Sequence, residues 1–134
     1  PSYILQSDFS HMIGTPMYKE FVIPDISDMC KKLGRSVYHL DGVGQLPHLD
    51  SLLEIDELSG VQWISGAGNP DNKHWPDVYK KIYAAGKKIQ LFGMPDALDT
   101  VGRQIGDFKS ICLMGYTTNC NTDDLERQLK VYGL

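Results

Sequence analysis

The residues best suited to chemistry sit in one stretch, Ser36-Val37-Tyr38-His39-Leu40-Asp41, which runs into Gly42-Val43-Gly44. Its composition reads as a strand ending in a glycine-rich turn. Side chains alternate faces along a strand, so Val37, His39 and Asp41 share one side and Tyr38 and Leu40 the other. An imidazole and a carboxylate two positions apart at the C-terminal end of a strand form a pincer. Such a pair holds a metal ion, or sets a base beside the acid that orients it; the plainer alternative is a hydrogen-bonded structural pair. Cys120 follows the last predicted strand and precedes the last predicted helix. A nearby helix N-terminus favours thiolate, so Cys120 reads as a reactive thiol or ligand, or else as a loop thiol.

Other polar residues fall near predicted strand ends. Gln6 and Asp8 share a face at the end of the first strand and are candidates for substrate contact. Gln62 and Trp63 face opposite sides of the third strand, so only one can line a pocket; an indole there could stack on a flat or cationic substrate. Gln90 is an inward-facing polar candidate on the fourth strand. Gly66 and Gly68 either cradle an anion with backbone N–H groups or simply make a turn. Cys30 and Cys112 read as packed side chains, and the Lys80-Lys81 and Lys87-Lys88 pairs as solvated helix ends.

The elements that must position these groups alternate between strand and helix. Tyr3–Asp8, Ser36–Asp41, Gly60–Ser65, Lys88–Phe92 and Ser110–Tyr116 read as strands. Pro16 opens a helix that Pro24 should kink or divide and that Gly34 ends. His48–Ile55 reads as a short helix. Trp75, Val78, Tyr79 and Ile82 recur at helical spacing in the next, which Gly86 stops. Pro95 begins another, with Leu98, Val101 and Ile105 inward. Thr122 or Asn121 caps the last, and Asp123 and Asp124 suit its positive end.

The chain has 134 residues, the size of one domain spanning 1–134, with 42% hydrophobic and 22% charged residues. A net charge of −4 without a basic run argues against a nucleic-acid surface. No apolar run approaches the roughly 20 residues that cross a bilayer. Three cysteines without framework spacing point to reduced thiols and a cytoplasmic setting. The opening Pro-Ser-Tyr enters a strand almost at once, which reads as a segment of a longer protein.

Strands alternating with helices imply a parallel α/β sheet with right-handed crossovers. Strands buried on both faces of an open sheet are nearly all apolar. Here Gln6, Asp8, His39, Asp41, Gln62 and Gln90 interrupt them, as suits the interior of a barrel mouth. The reading is therefore five βα units of a TIM (β/α)8 barrel, with a rearranged open doubly wound sheet as the alternative. A full barrel takes about 250 residues, and its cut edges should drive self-association.

Several stretches resemble the uroporphyrinogen decarboxylase-like superfamily, closest to its corrinoid-linked methyltransferase and uncharacterised decarboxylase-like branches. They are Leu5-Gln6-Ser7-Asp8-Phe9-Ser10, Met17-Tyr18-Lys19-Glu20-Phe21-Val22 with Pro24, Tyr38-His39-Leu40-Asp41-Gly42, Gly60-Val61-Gln62-Trp63 with Gly66-Ala67-Gly68, and Ala84-Ala85-Gly86-Lys87. The resemblance implies the C-terminal five units of a TIM barrel. It also implies zinc or another divalent metal held by His39, Asp41 and Cys120, with Asp41 and Cys120 as catalytic groups. Asp41 stands where the zinc methyltransferases carry a Cys. A carboxylate there admits a harder metal and weakens thiol-type chemistry. The implied activity is methyl transfer from a corrinoid on a partner protein to a thiol or other small-molecule acceptor. The rivals are a metal-free decarboxylase-like lyase using Asp8 and Asp41, and a non-catalytic half-barrel that self-associates.

Overall fold

Five strands, β1 (Ser2–Leu5), β2 (Arg35–Asp41), β3 (Gly60–Ile64), β4 (Lys88–Phe92) and β5 (Ile111–Met114), form one sheet in the order β1-β2-β3-β4-β5. Every neighbouring pair is parallel. The coordinates are a computed structural model that describes residues 2–115 and 121–133. Between the strands lie α2 (Ile23–Leu33), α3 (Leu49–Leu53), α4 (Pro76–Ala84) and α5 (Pro95–Ile105), and α6 (Thr122–Lys130) follows β5. The chain is thus an α/β fold of alternating units, as its pattern predicts. The strand order never reverses, as it does at the switch point of a doubly wound sheet. Each unit steps one place along, as in the wall of a barrel.

The alternation of each strand decides what it buries. Tyr38 and Leu40 of β2, Val61 and Trp63 of β3, and Ile89 and Leu91 of β4 are fully buried and belong to one apolar core. Ile26 of α2, Leu52 of α3, Tyr79 and Ile82 of α4, and Val101 of α5 complete that core from the helices. The residues in between, Val37, His39, Gln62, Gln90, Cys112 and Met114, share the sheet's other face and take no part in that core.

The helix that Pro16 opens is divided at the expected place. A short α1 (Thr15–Met17) passes into a π-helical turn, Tyr18–Val22, before α2 begins. Pro24 has no N–H for the α-helical bond to the Glu20 carbonyl, and the widened turn falls immediately before it. Gly34 closes α2 in the left-handed conformation, with its N–H on the Cys30 carbonyl at 3.0 Å.

Two segments depart from the predicted elements. The first strand stops at Leu5, and Asp8–Met12 forms a 3₁₀ turn. A second 3₁₀ turn, Val43–His48, precedes α3, where a helix was predicted to begin at His48. Each turn holds the other: His48 Nε2 donates to the Ser10 carbonyl at 2.9 Å, and Gln45 Nε2 to the Ser7 carbonyl at 3.5 Å. His48 is buried and stacks on Tyr18 with ring centroids 4.2 Å apart.

Lys87, predicted to be solvated, is buried instead. Its Nζ donates to the Ile55 and Asp56 carbonyls at 2.7 and 3.0 Å, answering acceptors left just beyond α3. No helix among the described residues is long and apolar enough to cross a membrane.

Candidate functional site

Parallel pairing sets His39 of β2 opposite Gln62 of β3, Gln62 opposite Gln90 of β4, and Gln90 opposite Cys112 of β5. These four residues form one row across the face that carries no core. Period-two alternation puts all of them on that side, because their neighbours Leu40, Val61, Trp63, Ile89 and Leu91 are committed to the apolar core.

Within the row the side chains are linked. Gln62 Nε2 donates to Gln90 Oε1 at 2.7 Å, with Met114 Sδ at 4.0 Å. The Oε1 end of Gln62 therefore meets His39 Nδ1. A carbonyl oxygen only accepts, so Nδ1 carries the hydrogen, and the neutral imidazole keeps a lone pair on Nε2. Asp41, at the end of β2, places Oδ2 3.9 Å from that Nε2.

The pair answers the geometry a metal needs only in part. Two ligands on a tetrahedral ion at bond lengths of about 2.0–2.1 Å lie roughly 3.4 Å apart. The observed 3.9 Å comes within a small side-chain adjustment of that. Among the described residues, no three of His, Cys, Asp and Glu converge as a metal site. Cys120, the third ligand the resemblance implies, lies outside the described residues.

The remaining candidates are placed as follows. Gln62 is buried at 3% exposure, with both amide ends engaged. Trp63 is fully buried in the core, edge-on to Trp75 at 5.2 Å, and faces away from the row. Gln6 is exposed past the end of β1 and borders a groove with Phe9, Phe21 and Met29. Asp8 begins the 3₁₀ turn and is exposed; its carbonyl meets His11 Nδ1 at 2.6 Å. No hydrogen bond joins Gln6 or Asp8 to the His39 row among the described residues.

Cys112, predicted to be packed, is instead exposed beside Gln90. Cys30 is buried as predicted and accepts a hydrogen bond from Ser36 Oγ at 3.1 Å. The burial of Gln62 was also missed from sequence: a lone glutamine in a strand shows its face but not its cross-strand neighbours.

The glycine loop after β3 lines a separate cleft of about 630 Å³ with the segment joining β4 to α5. Gly66 and Gly68 adopt φ of +80° and +81°, which side-chain-bearing residues rarely take. Positive charge there is already answered from within. Lys73 Nζ pairs with Asp96 at 2.6 Å and with Asp71 at 3.6 Å. The bond to Lys73 holds the Asp96 carboxyl below its usual range, and the Ala97 N–H at the start of α5 adds to it. That helix end is thus spoken for by the chain's own carboxylate.

Comparison with family models, curated proteins and solved structures finds no match to this chain.

Proposed function

We propose that this chain supplies the reacting rim of a barrel enzyme, a metal-dependent methyltransferase of the uroporphyrinogen decarboxylase-like kind. His39, Asp41 and Cys120 would hold zinc or another divalent ion. The single observation that carries this reading is His39 itself. Its Nδ1 is committed to Gln62, which leaves Nε2 as the free donor atom 3.9 Å from Asp41, at the C-terminal end of β2. Barrel enzymes carry their chemistry at that end of their strands.

His39, Asp41 and Cys120 would hold the ion, and its Lewis acidity would lower the pKa of an acceptor thiol. The methyl donor is a corrinoid on a partner protein, and the setting is cytoplasmic. The chain's own part is to bind and aim. Gln62 fixes the imidazole plane, and Asp41 supplies charge. Ile64 pairs with Asp41 on the neighbouring strand, and Met114 Sδ lies 4.0 Å from Gln62 Nε2.

The expected result is about one equivalent of zinc per chain in a competition titration with a chromophoric chelator. His39→Ala should abolish binding, and Cys120→Ser should weaken it at least tenfold. Stoichiometric binding that survives His39→Ala overturns the reading. No binding by the unsubstituted chain overturns it too, and leaves the metal-free lyase. That second reading would use Asp8 and Asp41 to bind or protonate substrate.

A further inference from the structure

The hydrogen-bonded row has a direction, and that direction gives Gln62 and Gln90 different roles. We propose that Gln62 is the positioning residue of His39, selecting the tautomer that leaves Nε2 bare. Gln90 then reads an oxygen atom of the ligand at the far end of the row. The proposal rests on the site reading above and deepens it.

The argument starts from burial. Gln62 is 3% exposed, so its amide cannot turn to water for partners and must be satisfied by its neighbours. Its Nε2 is taken by Gln90 Oε1 at 2.7 Å, which leaves only a carbonyl oxygen to face His39 Nδ1. A buried acceptor at that position demands Nδ1–H. Histidine ligands to metals generally donate their second ring N–H in this way, which orients the ring and makes the ligating nitrogen more basic.

The other end of the row is open. Gln90 is half-buried, and its Oε1 is used by Gln62. Its Nε2 carries two N–H donors with no acceptor among the described residues. Two strand spacings put it roughly 10 Å from His39 along the same face. A donor of that kind fits a carbonyl or carboxylate oxygen. Gln90 borders a cleft of about 280 Å³ with Ser2, Tyr3, Arg35, Val37 and Ser59, and the oxygen it reads enters there.

Charge drawn toward Nε2 strengthens the Nδ1–H bond to Gln62. That polarises the Gln62 amide and makes the Gln90 N–H a better donor, because linked hydrogen bonds reinforce one another. Occupancy at the two ends is therefore coupled.

Two substitutions at position 62 separate positioning from mere packing. Gln62→Glu keeps an acceptor for Nδ1–H but offers Gln90 no donor. Gln62→Met keeps the volume and removes both ends. In nitrogen-15 spectra of the zinc-free chain, His39 should be the Nδ1–H tautomer in the unsubstituted protein and in Gln62→Glu, and mixed in Gln62→Met. Zinc affinity should fall about tenfold to a hundredfold in Gln62→Met and be restored in Gln62→Glu.

An Nε2–H tautomer in the unsubstituted chain overturns the proposal, as does equal zinc affinity in the two variants. The tautomer is read without metal, so a chain that binds no zinc defeats the metal reading while leaving this one to be decided. For the far end, acetate and succinate serve as probes by chemical-shift titration. Perturbation of the Gln90 side-chain amide that is lost in Gln90→Leu supports the assignment. Shifts spread over the surface, or unchanged in Gln90→Leu, remove it.

Discussion

Raising the pH above about 10 is expected to unfold the chain cooperatively, at a slope near −4 kcal/mol per pH unit. The cause is three buried phenols. Burial pushes Tyr18 well above its ordinary value, and the neighbouring Tyr38 adds to the shift. Burial also raises Tyr38, although the nearby Tyr18 and Ser10 hydroxyls work against that shift. Tyr79 is raised by burial and then by the nearby Asp71, and its hydroxyl donates to the Asn72 carbonyl at 2.8 Å, which a phenolate could not do.

The sign follows from proton binding. Unfolded tyrosine ionises near pH 10, whereas each of these three keeps its proton in the folded state above that. The unfolded chain therefore binds fewer protons, and stability falls as pH rises. The contribution is whole below pH 10 and is lost as pH climbs toward the folded values. Each phenol contributes about 1.4 kcal/mol per unit. Against a total of about 5–15 kcal/mol, the midpoint should fall between about pH 11 and 14.

Absorbance at 295 nm and far-UV circular dichroism, followed together, check this. Of the seven tyrosines, Tyr3 and Tyr83 are exposed, whereas Tyr18, Tyr38 and Tyr79 are buried. Tyr18, Tyr38 and Tyr79 should titrate only with the transition, and Tyr18→Phe should make the slope shallower by about a third. A full tyrosinate signal with undiminished dichroism would sink the account.

The same residues show how far the sequence can be read. Tyr38 and Leu40 alternate with His39 and Asp41, which is enough to place two of them in a core and two on the opposite face. Pro16 and Pro95 at helix starts, and Gly34 and Gly86 at or just beyond helix ends, are local signals, and the helices begin and end close to them. What stays hidden depends on partners far along the chain. The Asp8–Met12 turn is held by Gln45 and His48, each 38 residues away from the carbonyl it bonds. No local pattern separates that turn from the end of a strand.

Lys87 is a similar case. A lysine after a helix reads as solvated until two carbonyls from the end of another helix come within reach. At the candidate site, His39 and Asp41 are legible as a pair because they lie on one strand. The link from His39 through Gln62 to Gln90 is not, because it needs the register of three strands. Cys112 is misread for the same reason: hydrophobic composition suggests packing, and only the topology shows which face of β5 takes part in the core.

Trp63→Ala is expected to cost about 3–5 kcal/mol, a large share of the stability of a domain this size. Trp63 is fully buried and meets Trp75 edge-on, with ring planes at 70°. Removing the indole leaves a cavity that strands β2 and β4, hydrogen-bonded on either side, cannot collapse to fill. Trp63→Phe should cost far less, about 1 kcal/mol, because Nε1 has no hydrogen-bond partner among the described residues and its loss strands no acceptor.

Urea titrations decide between the two, with midpoints compared at equal slope. A loss below 1 kcal/mol for Trp63→Ala would mean that β3 is not anchored through this side chain. The consequence reaches the site, since Gln62 precedes Trp63 and faces the other way only while the indole is seated. Where Trp63→Ala still folds, the Nδ1–H tautomer of His39 should be lost along with the anchor. In Trp63→Phe it should be retained.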